Sequence, residues 1–527
     1  MNNTPVISLV LSIHTPFVRH PERSDSPQEH WFFETLSETC LPLLEVFDHL
    51  DGNHIPFRMG LSLSPTLCHM LSDQLLLERY LEYLDRRIEF GLRQMETLAE
   101  GEKFRDLIKH YYERLLELRT FFSEHCERDV LKAFDYYQRK GRVELLCTAA
   151  THAFLPIYTP YPEAIQAEIE TAIGLYRTHF DKISQGFWLP EMGWSGDLEK
   201  WLRSYNFAYT LTEYHALALA KMPAEKGNFY PAKTPLGVFI LGRDFYALED
   251  VTQMAKDPVY RNNFQDLGYE LPQEQITPFL GILRGRTGTG YKCSNKGGTL
   301  YDPAAVAKKA AEQASLFLKN RIEKLNSAAG CMDAPPLSLC AFNASAFGRR
   351  WYEGPLFLEA LFREGAGRRD FQFMTPAEYI FKQDSMTFQT LEPEYSSWGI
   401  NGYAESWVDA SNDWMYRHTM RALERMIELA KRFPDNTGLK ERALNQAARE
   451  ILLAMASDWP GMLYRQESVD YARDQLESAL RNFTTIYEAL GKNHISTEWL
   501  TNVERRHNIF PQINYRVFSK KNTMGKN

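Results

Sequence analysis

The stretch "VISLVLSI" (residues 6–13) is an apolar run without a charge, broken only by two serines. Its apolar residues do not alternate with polar ones, which is typical of a strand covered on both faces of its sheet. Four further runs have the same apolar character: "FRMGLSL" (57–63), "VELLCTAA" (143–150), "GVFILG" (237–242) and "LSLCAFN" (337–343). Because strands covered on both faces are a mark of parallel sheets, the sequence predicts a mostly parallel sheet and favours a barrel.

Between these runs, apolar residues recur three and four positions apart, as they do in amphipathic helices. Such stretches cover 71–100, 102–126, 129–140 and 304–325. Strands that alternate with helices indicate an α/β fold. The first three helical stretches follow one another without a strand, so we expect a helical insertion in the barrel at about residues 70–140.

From about residue 405 onward the pattern is helical throughout. The breakers "PDNTG" and "WPGM" separate three amphipathic stretches, at 413–433, 438–458 and 468–490. We therefore expect two domains. A barrel domain of the catalytic type covers residues 1–395, and an α-helical C-terminal domain covers 396–527.

The composition is that of an ordinary globular protein, with 44% hydrophobic and 24% charged residues. The net charge of −8 argues against a nucleic-acid partner, and the concentrated basic run is the terminal "SKKNTMGKN". The start, "MNNTPVISLVLSIHTP", has no positive residue before its short apolar run, which argues against a signal peptide. The seven cysteines are scattered and form no CxxC pair. We expect a cytoplasmic protein with reduced thiols and no membrane partner, cofactor or metal.

Polar side chains follow the predicted strands. In parallel α/β proteins the carboxyl ends of the strands meet at one rim, where ligands bind. The residues at these ends are His14, His152, Glu191, Arg243 with Asp244, and Asn343. Glu191 lies in "GFWLPEMGW" (186–194), an apolar and aromatic stretch in which an unpartnered carboxylate is costly. We therefore expect a polar site on this rim. If that site splits a sugar–sugar bond, it needs a second carboxyl group near Glu191.

The same residues carry a resemblance to a known family. The segments are "SIHTPFVRHPE" (12–22), "THAFLP" (151–156), "GFWLPEMGW" (186–194), "FGRRWYEGP" (347–355) and "SSWGINGYAESWVDASNDW" (397–414). Together they resemble the ordered signature regions of glycoside hydrolase family 57, in particular its 1,4-alpha-glucan branching enzymes and α-amylase-like members. The resemblance implies an incomplete (β/α)7 barrel with a helical insertion and an α-helical C-terminal domain. It also implies a retaining reaction on α-1,4-glucan: glycogen, amylose or maltooligosaccharide.

The resemblance also implies roles for individual residues. Glu191 matches the nucleophile that attacks the anomeric carbon, and Asn343 stands at the position of the acid/base aspartate. The positions implied to bind substrate are His14, His152, Trp188, Arg243, Asp244, Trp398, Trp407 and Trp414. Two of these tryptophans also have a purely structural interpretation. Trp407 and Trp414 are seven residues apart, as core residues on one helix face would be.

The fourth signature region departs from the family pattern. The family reads Phe-Asp-x-Glu-Leu-Phe-Gly-His-Trp-Trp, whereas this chain reads "FNASAFGRRW" (342–351). Asn343 replaces the acid/base aspartate, Ser345 a glutamate, and Arg349 with Arg350 the His-Trp pair. An amide can donate a hydrogen bond but does not exchange a proton near neutral pH. Since general acid–base catalysis contributes about 10²–10⁴ in rate, we expect impaired catalysis.

Three hypotheses therefore stand side by side. The first is an impaired relative that still binds glucan, with an unknown protein partner. The second is an active branching enzyme or α-amylase that uses a substitute acid; the candidates are Glu353, Asp244, Glu249 and Asp250. The stretch after "GRD" lacks the Gly-Tyr-Pro-Gly turn of the branching enzymes, and Tyr246 and Tyr260 are the tyrosines that could replace its tyrosine. The third is a metal-dependent hydrolase built around His14 and His152, for which no third ligand is placed.

Overall fold

The structure is a computed structural model that describes residues 4–23, 25–182, 184–280 and 285–520. The basic C-terminal run continues beyond residue 520 and so lies largely outside the described residues. No helix in the described ranges is long and apolar enough to cross a bilayer.

In the described part of the chain, nine strands form one sheet. They are β1 Val6–Ile13, β2 Met59–Leu63, β3 Val143–Thr148, β4 Gly186–Trp188, β5 Tyr209–Thr212, β6 Ala232–Lys233, β7 Phe239–Gly242, β8 Leu337–Asn343 and β9 Gln372–Phe373. Seven of these strands are parallel neighbours in the order β7-β5-β4-β3-β2-β1-β8. Strand β6 pairs antiparallel with β7, and β9 adds a short parallel pairing to β1. All residues of the run at 6–13 are buried, so both faces of β1 are covered, which explains the lack of alternation.

The barrel is incomplete between β7 and β8. No ladder joins these two strands in the described part of the chain. Asp244, just after β7, bridges the gap: its amide donates to the Leu339 carbonyl at 2.8 Å, and its carboxylate accepts from Ser338 Oγ at 2.6 Å. Arg321 adds an ion pair to the same carboxylate at 2.9 Å. The predicted incomplete (β/α)7 barrel is confirmed.

Helices cover the outside of the sheet and extend from it. They are α1 Glu29–Thr35, α2 Leu41–Gly52, α3 Pro65–Met70, α4 Gln74–Thr97, α5 Lys103–Thr120, α6 Val130–Arg139, α7 Pro162–His179, α8 Glu199–Ser204, α9 Tyr214–Ala218, α10 Phe245–Met254, α11 Leu267–Glu270, α12 Gln273–Leu280, α13 Pro303–Ala329, α14 Gly354–Ala366 and α15 Pro376–Lys382. The helical insertion between β2 and β3 consists of α4, α5 and α6. Asp73 begins α4 by accepting from the Leu76 amide, as an N-cap residue does.

The C-terminal region is helical, as predicted. Its helices are α16 Asp413–Arg432, α17 Leu439–Met455, α18 Asp458–Arg465, α19 Val469–Gly491 and α20 Thr497–Arg506. The "WPGM" stretch separates α17 from α19, as the sequence predicts, but it does so as part of the short helix α18 and not as a loop. Pro460 falls in the first turn of that helix, where its missing N–H costs no hydrogen bond. A bridge between Ala153 and Ala456 brings the start of α18 to the rim of the barrel.

Candidate active site

Glu191 follows β4 in a strained turn. Its backbone adopts φ 57° and ψ 19°, the left-handed region that non-glycine residues seldom occupy. Two contacts hold this turn: the Trp398 amide donates to the Glu191 carbonyl at 2.9 Å, and Trp194 pairs with Ser396. Strain of this kind persists where surrounding structure imposes it, and it clusters at functional sites. The turn fixes the direction in which the Glu191 carboxylate points.

The Glu191 carboxylate is surrounded by hydrogen-bond donors. Trp398 Nε1 donates to Oε2, Ser457 Oγ donates to Oε1 at 2.9 Å, and His152 Nδ1 lies 3.4 Å from Oε1. Burial alone would raise the pKa of Glu191, but His152, Trp398 and Ser457 outweigh it and lower the pKa to about 2. The side chain is 14% exposed. It is therefore an ionised group that remains partly accessible from solvent.

Two histidines from different strand ends meet beside this carboxylate. The ring of His14 stacks on the ring of His152, with centroids 3.9 Å apart and planes 7° apart. His14 Nε2 lies 2.9 and 3.1 Å from the two carboxylate oxygens of Asp458. Burial lowers the pKa of His152, the charge of His14 adds to this effect, and Glu191 opposes it. Like Glu191, His152 has a left-handed backbone, at φ 56°.

A buried glutamate on α7 holds the residue before His152. Glu168 accepts from the Thr151 amide at 2.9 Å and from Thr151 Oγ1 at 2.6 Å. Burial raises the pKa of Glu168 to about 7 although these hydrogen bonds act to lower it. Glu168 is fully buried, so we assign it to positioning the turn that carries His152.

Ser457 and Asp458 were missed in the sequence because they lie in the helical C-terminal region, far from any strand end. The Ser-Asp-x-Pro pattern signals a helix start, so the beginning of α18 could have been recognised. Nothing in the sequence indicates that this helix start lies beside His14, which is 444 residues away along the chain.

Two of the predicted aromatic residues surround Glu191. Trp398 contacts the carboxylate directly, and Trp188 packs edge-on against Trp398 with centroids 5.8 Å apart. Trp188 is fully buried, and its packing supports the Trp398 ring from the protein interior. The Arg243 guanidinium lies 5.9 Å from the Trp398 ring and pairs with Glu213.

The other predicted substrate positions have defined contacts within the protein. Asp244 closes the barrel seam through Ser338 and Arg321, as described above. Trp407 is buried and stacks on Phe154 with centroids 5.5 Å apart. Trp414 lies on α16, and its Nε1 donates to the Ser411 carbonyl at 3.2 Å. Because Trp407 precedes α16, the two tryptophans do not share a helix face.

Asn343 ends β8, level with Ser12 of β1. Its Oδ1 accepts from the Ser345 amide at 2.9 Å and caps the short helical turn that follows. Of the two new arginines, Arg349 pairs with Glu34 at 2.9 Å. Desolvation lowers the pKa of Arg350, Arg465 adds to this effect, and the charge of Glu191 opposes it. The Arg350 guanidinium and the Glu191 carboxylate thus interact through their charges.

The substitute acids considered from the sequence have other partners. Glu353 is buried and accepts from the Arg261 amide at 2.9 Å. Glu249 and Asp250 lie on helix α10 rather than on a loop, and Asp250 pairs with Arg321 at 2.6 Å.

The two candidate tyrosines lie in different surroundings. Tyr260 is buried and donates to Gln313, whereas Tyr246 is exposed on α10. Within the described residues, no three His, Cys, Asp or Glu side chains are grouped to hold a metal.

Comparison with known proteins identifies the family. Residues 8–388 match the family model described as glycosyl hydrolase family 57. The chain belongs to glycosyl hydrolase family 57. Residues 418–518 match the model described as 1,4-alpha-glucan branching enzyme, C-terminal.

Relatives of this family 57 member include enzymes of two kinds. The crystal structure of the alpha-amylase AmyC from Thermotoga maritima is 31% identical, has a TM-score of 0.91, and is matched over 98% of this chain and 99% of that one. A 1,4-alpha-glucan branching enzyme of Thermococcus kodakarensis is 24% identical over 96% of this chain and 77% of its own length. A family 57 branching enzyme from Pyrococcus horikoshii has the same fold, with 22% identity, a TM-score of 0.87, and coverage of 98% of this chain and 97% of that one.

Proposed function

We propose that this family 57 member binds α-1,4-glucan in the cleft that holds Glu191 and turns it over poorly. Its relatives are named as a branching enzyme and an alpha-amylase, both of which act on α-glucans, and they match nearly the whole chain. The proposed substrate is glycogen, amylose or a maltooligosaccharide. The seven cysteines are free and six of them are buried, which fits the cytoplasmic location expected from the sequence.

The attacking half of a retaining reaction is intact. Glu191 is ionised, partly exposed and held by three donors, as a carboxylate nucleophile requires. In the first step its oxygen would bond to the anomeric carbon while the bond to the departing glucan oxygen breaks. The three donors also stabilise the carboxylate before attack, so they lower its nucleophilicity while fixing its direction.

The proton-donating half is altered. The departing glucan oxygen needs a proton, and an asparagine side chain has none to give. The carbonyl of Asn343 is also engaged as the cap of a turn. Loss of a general acid typically costs about 10²–10⁴ in rate, and a sugar hydroxyl is a poor leaving group. The observation that carries the proposal is therefore an ionised, reachable Glu191 in a chain whose acid/base position is an amide.

A donor with a good leaving group tests this proposal. Fluoride leaves α-maltosyl fluoride without protonation, so the reagent needs the nucleophile but not the acid. We expect a maltosyl adduct on the protein, detected by intact mass, and no adduct on Glu191→Gln. Amylose should show little change in iodine absorbance under the same conditions. Rapid branching or hydrolysis of amylose would contradict the proposed impairment, and absence of the adduct would contradict the proposed nucleophile.

One observation favours the alternative of an active enzyme with a substitute acid. Asp458 follows Ser457, whose hydroxyl contacts Glu191, so a second carboxyl group lies near the nucleophile. The Asp458 carboxylate lies 2.9 Å from His14 Nε2, within hydrogen-bond distance. If amylose is turned over, Asp458→Asn should abolish that activity while Glu353→Gln leaves it in place. Equal activity of Asp458→Asn and the parent chain would exclude Asp458 as the acid.

A further inference from the structure

Exposed aromatic residues continue the rim of the barrel beyond Glu191. Along the sheet, β4 is followed by β5 and then β7, and Glu191 comes shortly after β4. Tyr214 comes two residues after β5, and Phe245 with Tyr246 comes shortly after β7. Because these strands are parallel, the three side chains emerge on the same rim as Glu191. Each of them is at least 40% exposed, which is unusual for large apolar side chains that lie together.

The rings form a continuous row. The Tyr214 and Phe245 centroids are 5.4 Å apart, and those of Phe245 and Tyr246 are 5.9 Å apart. In the other direction Tyr214 contacts His215 at 5.6 Å, and His215 contacts Tyr403 at 5.1 Å. We call Tyr403, Tyr214, Phe245 and Tyr246 the rim aromatics.

One loop joins the rim aromatics to the cleft. Trp398, at the start of the loop, hydrogen-bonds to Glu191 through both its indole and its amide. Five residues later Tyr403 packs on His215, whose Nε2 lies 3.0 Å from the Gly402 carbonyl. A side chain at position 402 would place its Cβ 2.5 Å from the His215 ring, so this approach requires glycine. The row of rim aromatics therefore begins at Tyr403, in the same loop as the Trp398 that contacts Glu191.

A wide, open pocket lies at the far end of the row. It has a volume of about 580 Å³, and its lining includes Phe229, Tyr246, Asn320, Glu323 and Lys324. The Lys324 ammonium lies 3.1 Å over one face of the Tyr246 ring, so a ligand can reach the other face of this ring. Amide and carboxylate groups beside the ring add hydrogen-bonding partners, and sites for small polar ligands combine these two features.

We propose that the rim aromatics are a second contact surface for the same α-glucan chain, which runs from the Glu191 cleft toward this pocket. This inference rests on the proposed glucan binding. Pyranose rings have apolar faces that pack on aromatic rings, and their hydroxyl groups remain in solvent. Neighbouring rings of the row are tilted by 57° and 73°, so their faces point in different directions. Faces that point in different directions fit a bent α-1,4-linked chain better than a flat β-linked one.

The proposal predicts that only long glucan chains contact the rim aromatics. Short oligosaccharides such as maltotriose fit within the cleft, whereas glycogen and amylose reach the rim. Tyr214→Ala with Phe245→Ala should therefore weaken binding to glycogen two- to tenfold per ring removed. Binding of maltotriose should be unchanged. Trp398→Ala should weaken binding of both ligands, because Trp398 lies in the cleft.

Affinity electrophoresis in glycogen, together with calorimetry on maltotriose, tests the proposal. Met222→Ala is the matched control, because Met222 is 62% exposed and does not belong to the row. If the parent chain and the Tyr214→Ala/Phe245→Ala variant are retarded equally by glycogen, the rim proposal is overturned and the proposed function stands. If the parent chain binds neither ligand, both are overturned. If the variant changes only the oligomeric state in light scattering, the row joins copies of the chain and the proposal is overturned.

Discussion

The imidazole of His14 lies flat on the imidazole of His152, with 3.9 Å between their centroids. Each ring also faces a carboxylate, since His14 contacts Asp458 and His152 contacts Glu191. An ionised carboxylate can only accept hydrogen bonds, so His152 must carry a proton on Nδ1 to donate to Glu191 or Ser457. The stack thereby links the proposed nucleophile to a second carboxyl group supplied by the C-terminal helices.

His152→Asn should raise the pKa of Glu191. His152 is the main contact that holds this pKa near 2, and asparagine tolerates the left-handed backbone at position 152. Because the folded pKa is depressed, the Glu191 carboxylate of the parent chain stays ionised as the pH falls to about 4. The rate of adduct formation with α-maltosyl fluoride should therefore be flat from pH 7 to pH 4 in the parent chain and fall with acidity in the variant. His14→Asn is the control, and a flat profile in His152→Asn would contradict this role.

Asn343→Asp should leave the fold intact and restore only part of the turnover. Aspartate and asparagine cap helical turns about equally, so the bond to the Ser345 amide is kept and the melting temperature should hardly change. The Arg350 guanidinium lies close enough to Glu191 to interact with its charge, so it belongs to the same site. Its positive charge would keep the new carboxyl group ionised, and an ionised group cannot act as an acid.

The measurement is the iodine absorbance of amylose, with the chain lengths released after debranching. We expect less than about a tenfold gain for Asn343→Asp, within the range of general acid catalysis, and a larger gain when Arg350→Trp is added. A gain of about a hundredfold or more from Asn343→Asp alone would show that Arg350 does not hinder the acid.

The sequence predicts the long, apolar elements well. The buried runs at 6–13 and 337–343 are β1 and β8 to the residue, and the stretch at 304–325 lies inside α13. Strand β4 has three residues and was predicted only as the strand end that carries Glu191. Strand β5 was missed, because "YTLT" has too little apolar character to be distinguished from a loop.

Only the part of the site that lies at strand ends could be predicted from the sequence, and the reason is physical. Strand-end residues such as Glu191 and His152 could be grouped because parallel strands bring their ends to one rim. Ser457 obeys no such rule, since it reaches Glu191 through the packing of the C-terminal helices on the barrel. Asp244 follows the strand-end rule and still turns to the seam, because Arg321 lies buried beside it.

Arg321→Met should destabilise the protein by about 3–5 kcal/mol, the usual cost of breaking a buried ion pair. Arg321 is 1% exposed and pairs with both Asp244 and Asp250, so its removal leaves a buried carboxylate uncompensated at the barrel seam. Urea unfolding at pH 7 measures the loss. Lys319→Met is the control, because Lys319 lies on the same helix with its side chain 68% exposed. Equal stability of the two variants would show that the seam does not depend on this ion pair.

Glu168→Gln should change how stability depends on pH. Burial raises the pKa of Glu168 from 4.5 to about 7 in the folded protein, so between these values the unfolded chain is ionised while the folded chain is protonated. The contribution of Glu168 to stability is therefore full below about pH 4.5 and is lost as the pH rises to 7. Over this interval the loss amounts to roughly 3 kcal/mol.

The Glu168→Gln variant has no such titration, and the Thr151 hydroxyl can rotate to accept from the glutamine amide. The free energy of unfolding of Glu168→Gln, relative to the parent chain, should thus increase from pH 5 to pH 8 in urea titrations. The exposed Glu78→Gln should show a constant difference, and a constant difference for Glu168→Gln as well would mean that Glu168 is already ionised in the folded protein.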